Sequence, residues 1–161
     1  MSVFDQMISS LGLEPHPEEG GFYRETYRSA VRHGDSHDLC TAIYYLLTPE
    51  TMSEMHRLPS DEIFHFYMGH AVEMLQLMPD GSGRVVRIGT DLAAGERPQV
   101  VVPAGTWFGS RLVAGGEFAL LGCTVAPGFE FADYESGERA GLVQAYPEHA
   151  ELISALTHAP A

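Results

Sequence analysis

The feature that most constrains this chain is a strand–turn–strand rhythm that runs from residue 22 to about residue 127. FYRETYR (22–28) alternates, DLCTAIYYLL (38–47) is rich in β-branched and aromatic residues, and DEIFHFYMG (61–69) alternates again. AVEMLQLM and RVVRIG flank MPDGSG, a hairpin signal, and QVVVP, TWFGSRL and EFALLGCTV complete the series. About eight or nine short strands at such spacing predict an all-β sandwich or barrel. A chain of 161 residues is long enough to close one such core, so residues 1–161 are read as one domain.

Helical spacing is confined to the two ends. Ser2 followed by Asp5 forms a capping signal, and Val3, Phe4, Met7, Ile8 and Leu11 then lie on one helical face before Gly12 and Pro15 stop it. Near the other end Pro147 suits a first helical turn, and HAELISAL supplies an apolar face. A short N-terminal helix and one C-terminal helix are predicted, the first lying on an apolar surface elsewhere.

Several function classes are disfavoured by composition. A formal charge of −13 argues against nucleic acid or anionic membrane as partners, because phosphate binding draws on Lys and Arg. No apolar run reaches membrane-spanning length, and the N-terminus lacks a basic leader, so cytoplasmic residence is expected. Cys40 and Cys123 lack metal-ligand spacing, sit in apolar runs, and are read as two reduced core thiols.

Two stretches carry candidate chemistry, HRLPSDEIFHFYMG (56–69) and PAGTWFG (103–109). Together they resemble the paired motifs of the cupin superfamily, in which three histidines and a glutamate converge inside a small barrel and hold a divalent metal. On that resemblance His56 falls on the first histidine, Glu62 on the glutamate, and Pro103 and Gly105 on the second motif's turn. The other two histidine positions are Leu58 and Phe108, and the closing asparagine position is Leu112. Neither Leu nor Phe offers a lone pair, so the resemblance implies a barrel without its metal, with His56 and Glu62 as weak metal candidates only.

Over nearly its whole length the chain also resembles a narrower group, the small single-domain cupins of unsettled function. The blocks that carry this are HPEEGGFYRETYRS, TAIYYLL, HRLPSDEIFHFYMG, ERPQVVVPAGTWFGSRL and LGCTVAPGFEFADYE. The resemblance implies a jelly-roll barrel, commonly a homodimer, similar in shape to sugar-nucleotide epimerases.

Each candidate residue has a plain structural reading beside the functional one. His56 is a general base or acid, or a hydrogen-bonded structural histidine. Glu62 shares a strand face with Phe64 and Phe66, where a carboxylate is costly unless it is paired; it is a catalytic partner of His56 or a buried carboxylate held by arginine. Glu19 and Tyr23, after the Gly20-Gly21 pair, line a pocket or make dimer contacts. Phe64, Trp107 and Phe108 are aromatic pocket walls or core filling. Arg57 alternates away from His56 and is expected in an ion pair, and His65 is expected as a structural hydrogen bonder.

Three functions are consistent with this pattern. The first is a metal-independent isomerase or epimerase acting on a small polar molecule such as a sugar derivative, with His56 and Glu62 moving protons and Trp107 and Phe108 excluding water. The second is a binding module for a sugar, nucleobase or carboxylate, without turnover. The third is a metal-dependent enzyme in which His65 or His70 completes a ligand set.

Overall fold

A computed structural model describes residues 1–160. Helix α1 (Val3–Leu11) leads into strands β1 (Glu14–Pro15), β2 (Phe22–Arg28), β3 (Arg32–His33), β4 (His37–Asp38) and β5 (Thr41–Leu47). Next come β6 (Ser53–Arg57), β7 (Asp61–Gly69), β8 (Val72–Leu77), β9 (Gly83–Ile88) and β10 (Gln99–Val102). Strands β11 (Trp107–Leu112), β12 (Ala119–Ala126) and β13 (Glu135–Ser136) follow, then helices α2 (Arg139–Ala145) and α3 (Ala150–Ala155).

The strands form a six-stranded sheet, ordered β1-β2-β5-β12-β7-β10, and a five-stranded sheet, ordered β13-β6-β11-β8-β9. Strands β3 and β4 pair separately as a small ribbon. Every strand pair is antiparallel, and the two large sheets enclose one apolar interior. This is the sandwich or barrel that the strand spacing predicts. No helix among the described residues is long and apolar enough to cross a membrane.

Local sequence explains the elements closely. In β7 the alternation buries Glu62 and Phe64 while Tyr67 is exposed, as a two-residue period requires. The MPDGSG hairpin closes because Asp80 Oδ1 accepts from the Ser82 backbone N–H (2.9 Å) and hydroxyl (2.6 Å), and Gly81 takes φ 90. Helix α1 has the reciprocal cap that Ser2 and Asp5 signal, and Gly12 ends it in the left-handed region. Its Phe4, Met7, Ile8 and Leu11 pack over Leu13, Leu46 and Leu120 on the outside of the six-stranded sheet.

At the C-terminus two helices stand where the sequence predicts one. The missed helix, α2, carries Gly141 in its interior and a glutamate cap, Glu138, which accepts from Ala140 N (2.9 Å) and Gly141 N (2.8 Å). Such a seven-residue segment has little intrinsic helicity and depends on docking. Leu142, Tyr146, Ile153 and Leu156 dock on Met55, Leu75 and Leu77, covering the outside of the five-stranded sheet. Cys123 is buried as expected, but Cys40 is only half-buried and is not a core thiol.

Candidate functional site

Inward side chains of both sheets leave a cavity at one end of the interior. In the six-stranded sheet the register aligns Tyr23 with Tyr45, Ile43 with Cys123, and Cys123 with Phe64, so these residues share the inner face. Glu62 lies opposite Val125 on the same face. His56 arrives from β6, Leu58 from the segment after it, and His16 and Glu19 from the HPEEGG loop. The free space is about 30 Å³, room for about two water-sized groups.

The loop takes its path through two glycines. Gly20 (φ 98) and Gly21 (φ 71) lie in the left-handed region, and a side chain on Gly20 would meet the Met52 carbonyl oxygen. One on Gly21 would meet the Tyr45 hydroxyl. The turn returns Glu19 to the barrel, where its Oε1 accepts a short hydrogen bond from the Ser53 hydroxyl.

Hydrogen bonds fix the two histidines in different tautomers. His56, 1% exposed, has Nδ1 2.6 Å from the Glu54 carbonyl oxygen, which only accepts, so Nδ1 carries the hydrogen. The other nitrogen, Nε2, lies 3.9 Å from Glu19 Oε2 with its lone pair free when the ring is neutral. In His16, Nδ1 accepts from the Glu19 backbone N–H (2.9 Å) and the Glu18 N–H (3.3 Å), so its hydrogen is on Nε2, 3.7 Å from Glu19 Oε2. Burial holds the His16 pKa below its ordinary value, with the Glu19 charge opposing that shift. One carboxylate thus sits beside two imidazoles, one presenting N–H and the other a lone pair.

Glu62 has a different environment. It is 5% exposed, and the Cys123 thiol donates to its Oε1 at 3.7 Å. Burial, reinforced by the Glu19 charge, pushes its pKa well above the usual carboxylate range. Burial likewise pushes the Cys123 thiol up, followed by the charges of Glu62 and Glu19. Both shifts favour the protonated form, so Glu62 and Cys123 are the two groups here whose proton affinity burial raises most.

A strap, residues 127–137, crosses the mouth. Tyr134 stacks on His56 (centroids 5.0 Å, 18°) and donates its hydroxyl to Glu54 Oε1 at 2.8 Å. The same oxygen accepts from the Ser136 hydroxyl at 2.8 Å. Phe129 and Phe131 pack near His16. Polar contacts anchor the strap: Arg28 to the Phe129 carbonyl (2.9 Å) and Glu130 (3.1 Å), His37 to Asp133 (2.6 Å), and Arg57 to Glu135 (2.7 Å).

Of the residues singled out from sequence, His56, Glu62, Glu19, Tyr23 and Phe64 meet in this cavity. Phe108 backs the His56 ring at 4.2 Å and is fully buried. Trp107 is not a wall of the cavity. Neighbours on a strand point to opposite faces, so with Phe108 inward Trp107 turns outward, against the C-terminal helical layer and under the Arg57 guanidinium (4.4 Å). His56 and Glu62 share the cavity, but the close carboxylate neighbour of His56 is Glu19. Glu62 has no arginine partner either. His65 Nε2 lies 3.3 Å from Thr124 Oγ1, and His70 Nδ1 accepts from the Glu117 N–H (3.2 Å); neither lines the cavity.

The residues do not fit a metal. Leu58 and Phe108 are buried apolar side chains, and among the described residues no group of three or more His, Cys, Asp or Glu is arranged to hold one. Sequence reading missed His16, Tyr45, Cys123, Phe129 and Tyr134. The signal for His16 was the double-glycine turn that folds its own loop back; for Tyr134, within FADYES, no local pattern announces a strap. A wider groove of about 610 Å³, along Thr48–Met52 and Arg111–Gly116, is open to solvent and shares only Glu19 with the cavity.

Comparison with known proteins places this geometry in context. A family model described as "Cupin superfamily (DUF985)" matches residues 5–137. An uncharacterized protein of Saccharomyces cerevisiae is 31% identical over 150 residues, covering 83% of this chain and 74% of the yeast protein. A crystal structure of a Shewanella oneidensis protein is 40% identical with a TM-score of 0.92, covering 99% of this chain and 100% of that one. A hypothetical protein from Leishmania major is 32% identical with a TM-score of 0.89, again over 99% and 100% of the two chains.

Proposed function

The chain belongs to the cupin superfamily, in its DUF985 family, and from that premise we propose a metal-independent acid–base enzyme. The reaction is of the isomerase or epimerase type, a proton transfer next to a carbonyl in a small polar molecule. One observation carries the reading: an imidazole nitrogen left without a hydrogen and a buried carboxyl group whose proton affinity is raised border the same small cavity.

His56 Nε2 takes the proton from the carbon beside the carbonyl. The C–H electron pair moves into the enolate, and the Glu62 carboxyl supplies a hydrogen bond or proton to the carbonyl oxygen. Return of a proton from His56 to carbon, and of one from the enol oxygen to Glu62, completes the exchange and restores both groups. The Glu54 carbonyl holds the Nδ1–H tautomer, and Glu19, 3.9 Å from Nε2, stabilises the imidazolium formed in between. Tyr134 and the strap exclude water. Binding without turnover is the second reading, favoured by the mainly apolar walls and the small free space. The homodimer suggested by family resemblance is a further proposal; sedimentation as a strict monomer at micromolar concentration overturns it.

The test is deuterium incorporation, followed by NMR, from D2O into candidate hydroxycarbonyl and aminocarbonyl compounds. His56→Gln is the informative variant. His56 packs between Tyr134 and Phe108, so alanine would also leave a destabilising cavity. Exchange is expected to fall by about 10²–10⁴-fold in His56→Gln with the fold retained. Full exchange in the variant overturns the assignment, and a ligand that binds and exchanges nothing establishes the binding reading instead.

A further inference from the structure

We propose that this cavity receives a small organic cation, a protonated amine, with Glu19 as its counter-ion. The inference rests on reading the cavity as the ligand site and adds the chemical class of what enters it.

Positive charge is missing from the cavity walls. No Lys or Arg lines the cavity, although two glutamates do. The arginines nearby in the fold are engaged elsewhere: Arg24 reaches the Gly12 carbonyl, Arg28 holds Glu25, Asp38 and Glu130, and Arg57 holds Glu135. His16 does not supply the charge either. A second ring proton would sit on Nδ1, and that atom already accepts two backbone N–H groups. Only His56 is left to balance Glu19, and a His56 that does so has lost the lone pair that makes it a base. A cationic ligand removes the conflict: it pairs with Glu19 and leaves His56 Nε2 bare.

A second, independent observation points to a ligand. Glu62 is 95% buried, faces the same cavity, and receives only a weak donor, the Cys123 thiol at 3.7 Å. A carboxyl group held in this way is costly unless something else completes its hydrogen bonding. The remaining walls include the rings of Tyr23, Phe64 and Phe129, and aromatic faces attract ammonium groups. An anion would meet the Glu19 charge with no donor cation in reach. Phosphorylated sugars, which a resemblance to sugar-nucleotide epimerases suggests, and free carboxylates are therefore poor occupants. The free space of about 30 Å³ accommodates an ammonium head group, and a larger body requires the strap to lift.

The experiment uses the full chain and three probes of similar size: methylammonium chloride, methanol and sodium formate, at matched ionic strength. The methyl resonances of Ile43, Leu58 and Val125, which line the cavity, report occupancy by ¹H–¹³C NMR. Methylammonium is expected to shift them saturably at millimolar concentration, and methanol and formate to bind at least about tenfold more weakly. Glu19→Gln should weaken methylammonium by about tenfold or more, while Glu117→Gln, an exposed acid away from the cavity, should not. The proposal is overturned if methanol or formate binds as well, if Glu19→Gln binds undiminished, or if methylammonium leaves the methyl signals unmoved. The preference of the wild type among the three probes decides the matter even if Glu19→Gln fails to fold. Selective cation binding without deuterium exchange on any compound keeps this inference and removes the enzymatic one. Exchange on neutral carbonyl compounds without cation binding does the reverse.

Discussion

The carboxylates at the mouth of the barrel and those inside it are the same chemical group in opposite circumstances. At the mouth, Asp38 is gripped by Arg28 (2.8 Å) and Arg32 (2.7 Å), and Arg28 also holds Glu25 and Glu130. Inside, Glu19 and Glu62 have hydroxyl, imidazole and thiol neighbours and no arginine. The consequence is a split in proton affinity. Hydrogen bonds from Arg28 and then Arg32 hold Asp38 below its ordinary value, whereas burial pushes Glu62 well above its own. Nine basic residues serve 22 acidic ones in this chain, and two of the nine, Arg28 and Arg57, fasten the strap. The arginine ion pairs therefore lie at the rim, and the carboxyl group with raised proton affinity lies within.

The largest expected effect comes from the inside member of that comparison. Burial raises the proton affinity of Glu62 in the folded protein, while its unfolded counterpart ionises near the ordinary value of 4.5. Above that pH the unfolded state binds fewer protons than the folded one, so stability falls as pH rises, by up to about 1.4 kcal/mol per pH unit for one proton. Asp38 works in the other direction: its contribution is present above the ordinary value of 3.8 and is lost as pH falls through its depressed value. Urea unfolding from pH 5 upward should show Glu62→Gln with a shallower decline than wild type. Parallel curves for the two proteins would remove the contrast between rim and interior. Taking the difference between them also cancels the self-repulsion of a −13 chain.

Why the sequence revealed one half of the site and not the other follows from the distance over which each signal acts. The alternation of DEIFHFYMG places Glu62 and Phe64 on one face without reference to any other strand, and that placement holds. The apolar residues at positions 58 and 108 likewise read as interior side chains, and both are buried. Trp107 was misplaced because its proximity to Phe108 outweighed the alternation that separates them. Pairing His56 with Glu62 was an argument from spacing, whereas the actual neighbour, Glu19, arrives 37 residues earlier on a loop turned by Gly20 and Gly21. Tyr134 is farther still, and its position depends on Glu54, a strand residue whose acceptor role appears only once the strap is folded over it. Periodicity reads faces of single elements; convergence of loops from distant segments is a tertiary fact.

The rim is tested next by Arg28→Met. The guanidinium contacts Glu25, Asp38, Glu130 and the Phe129 carbonyl, tying β2, the β3–β4 ribbon and the strap together. Charge-assisted bonds of this kind are strong, but the side chain is 34% exposed and solvent screens them, so a loss of about 1–2 kcal/mol is expected. More telling is where the loss appears. Backbone amides of Asp133 and Tyr134, bonded only within the strap's own turn, should exchange with solvent several-fold faster, while those of β12 do not change. A uniform acceleration across the barrel would mean that the strap is an integral part of the fold and not a cover on it.

Arg57 should matter least, although it combines three favourable features. It makes a two-pronged pair with Glu135 (2.7 and 3.0 Å), its guanidinium lies 4.4 Å from the Trp107 ring centroid, and it adjoins His56 in sequence. Each partner of the pair is 40% or more exposed, so the attraction is largely screened and much of it is offset by the entropy of two ordered side chains. Stacking on a partly exposed tryptophan adds about 0.5–1 kcal/mol at most. Arg57→Ala is therefore expected to lower stability by less than about 1 kcal/mol, most visibly at low salt, and to leave His56 in place, since that ring is held by the Glu54 carbonyl, Tyr134 and Phe108. A loss of several kcal/mol in urea unfolding, or displaced His56 ring signals in NMR, would show that the rim and the interior are coupled through this strand. In that case the division between anchoring arginines and unpaired interior acids would describe one connected network with two ends.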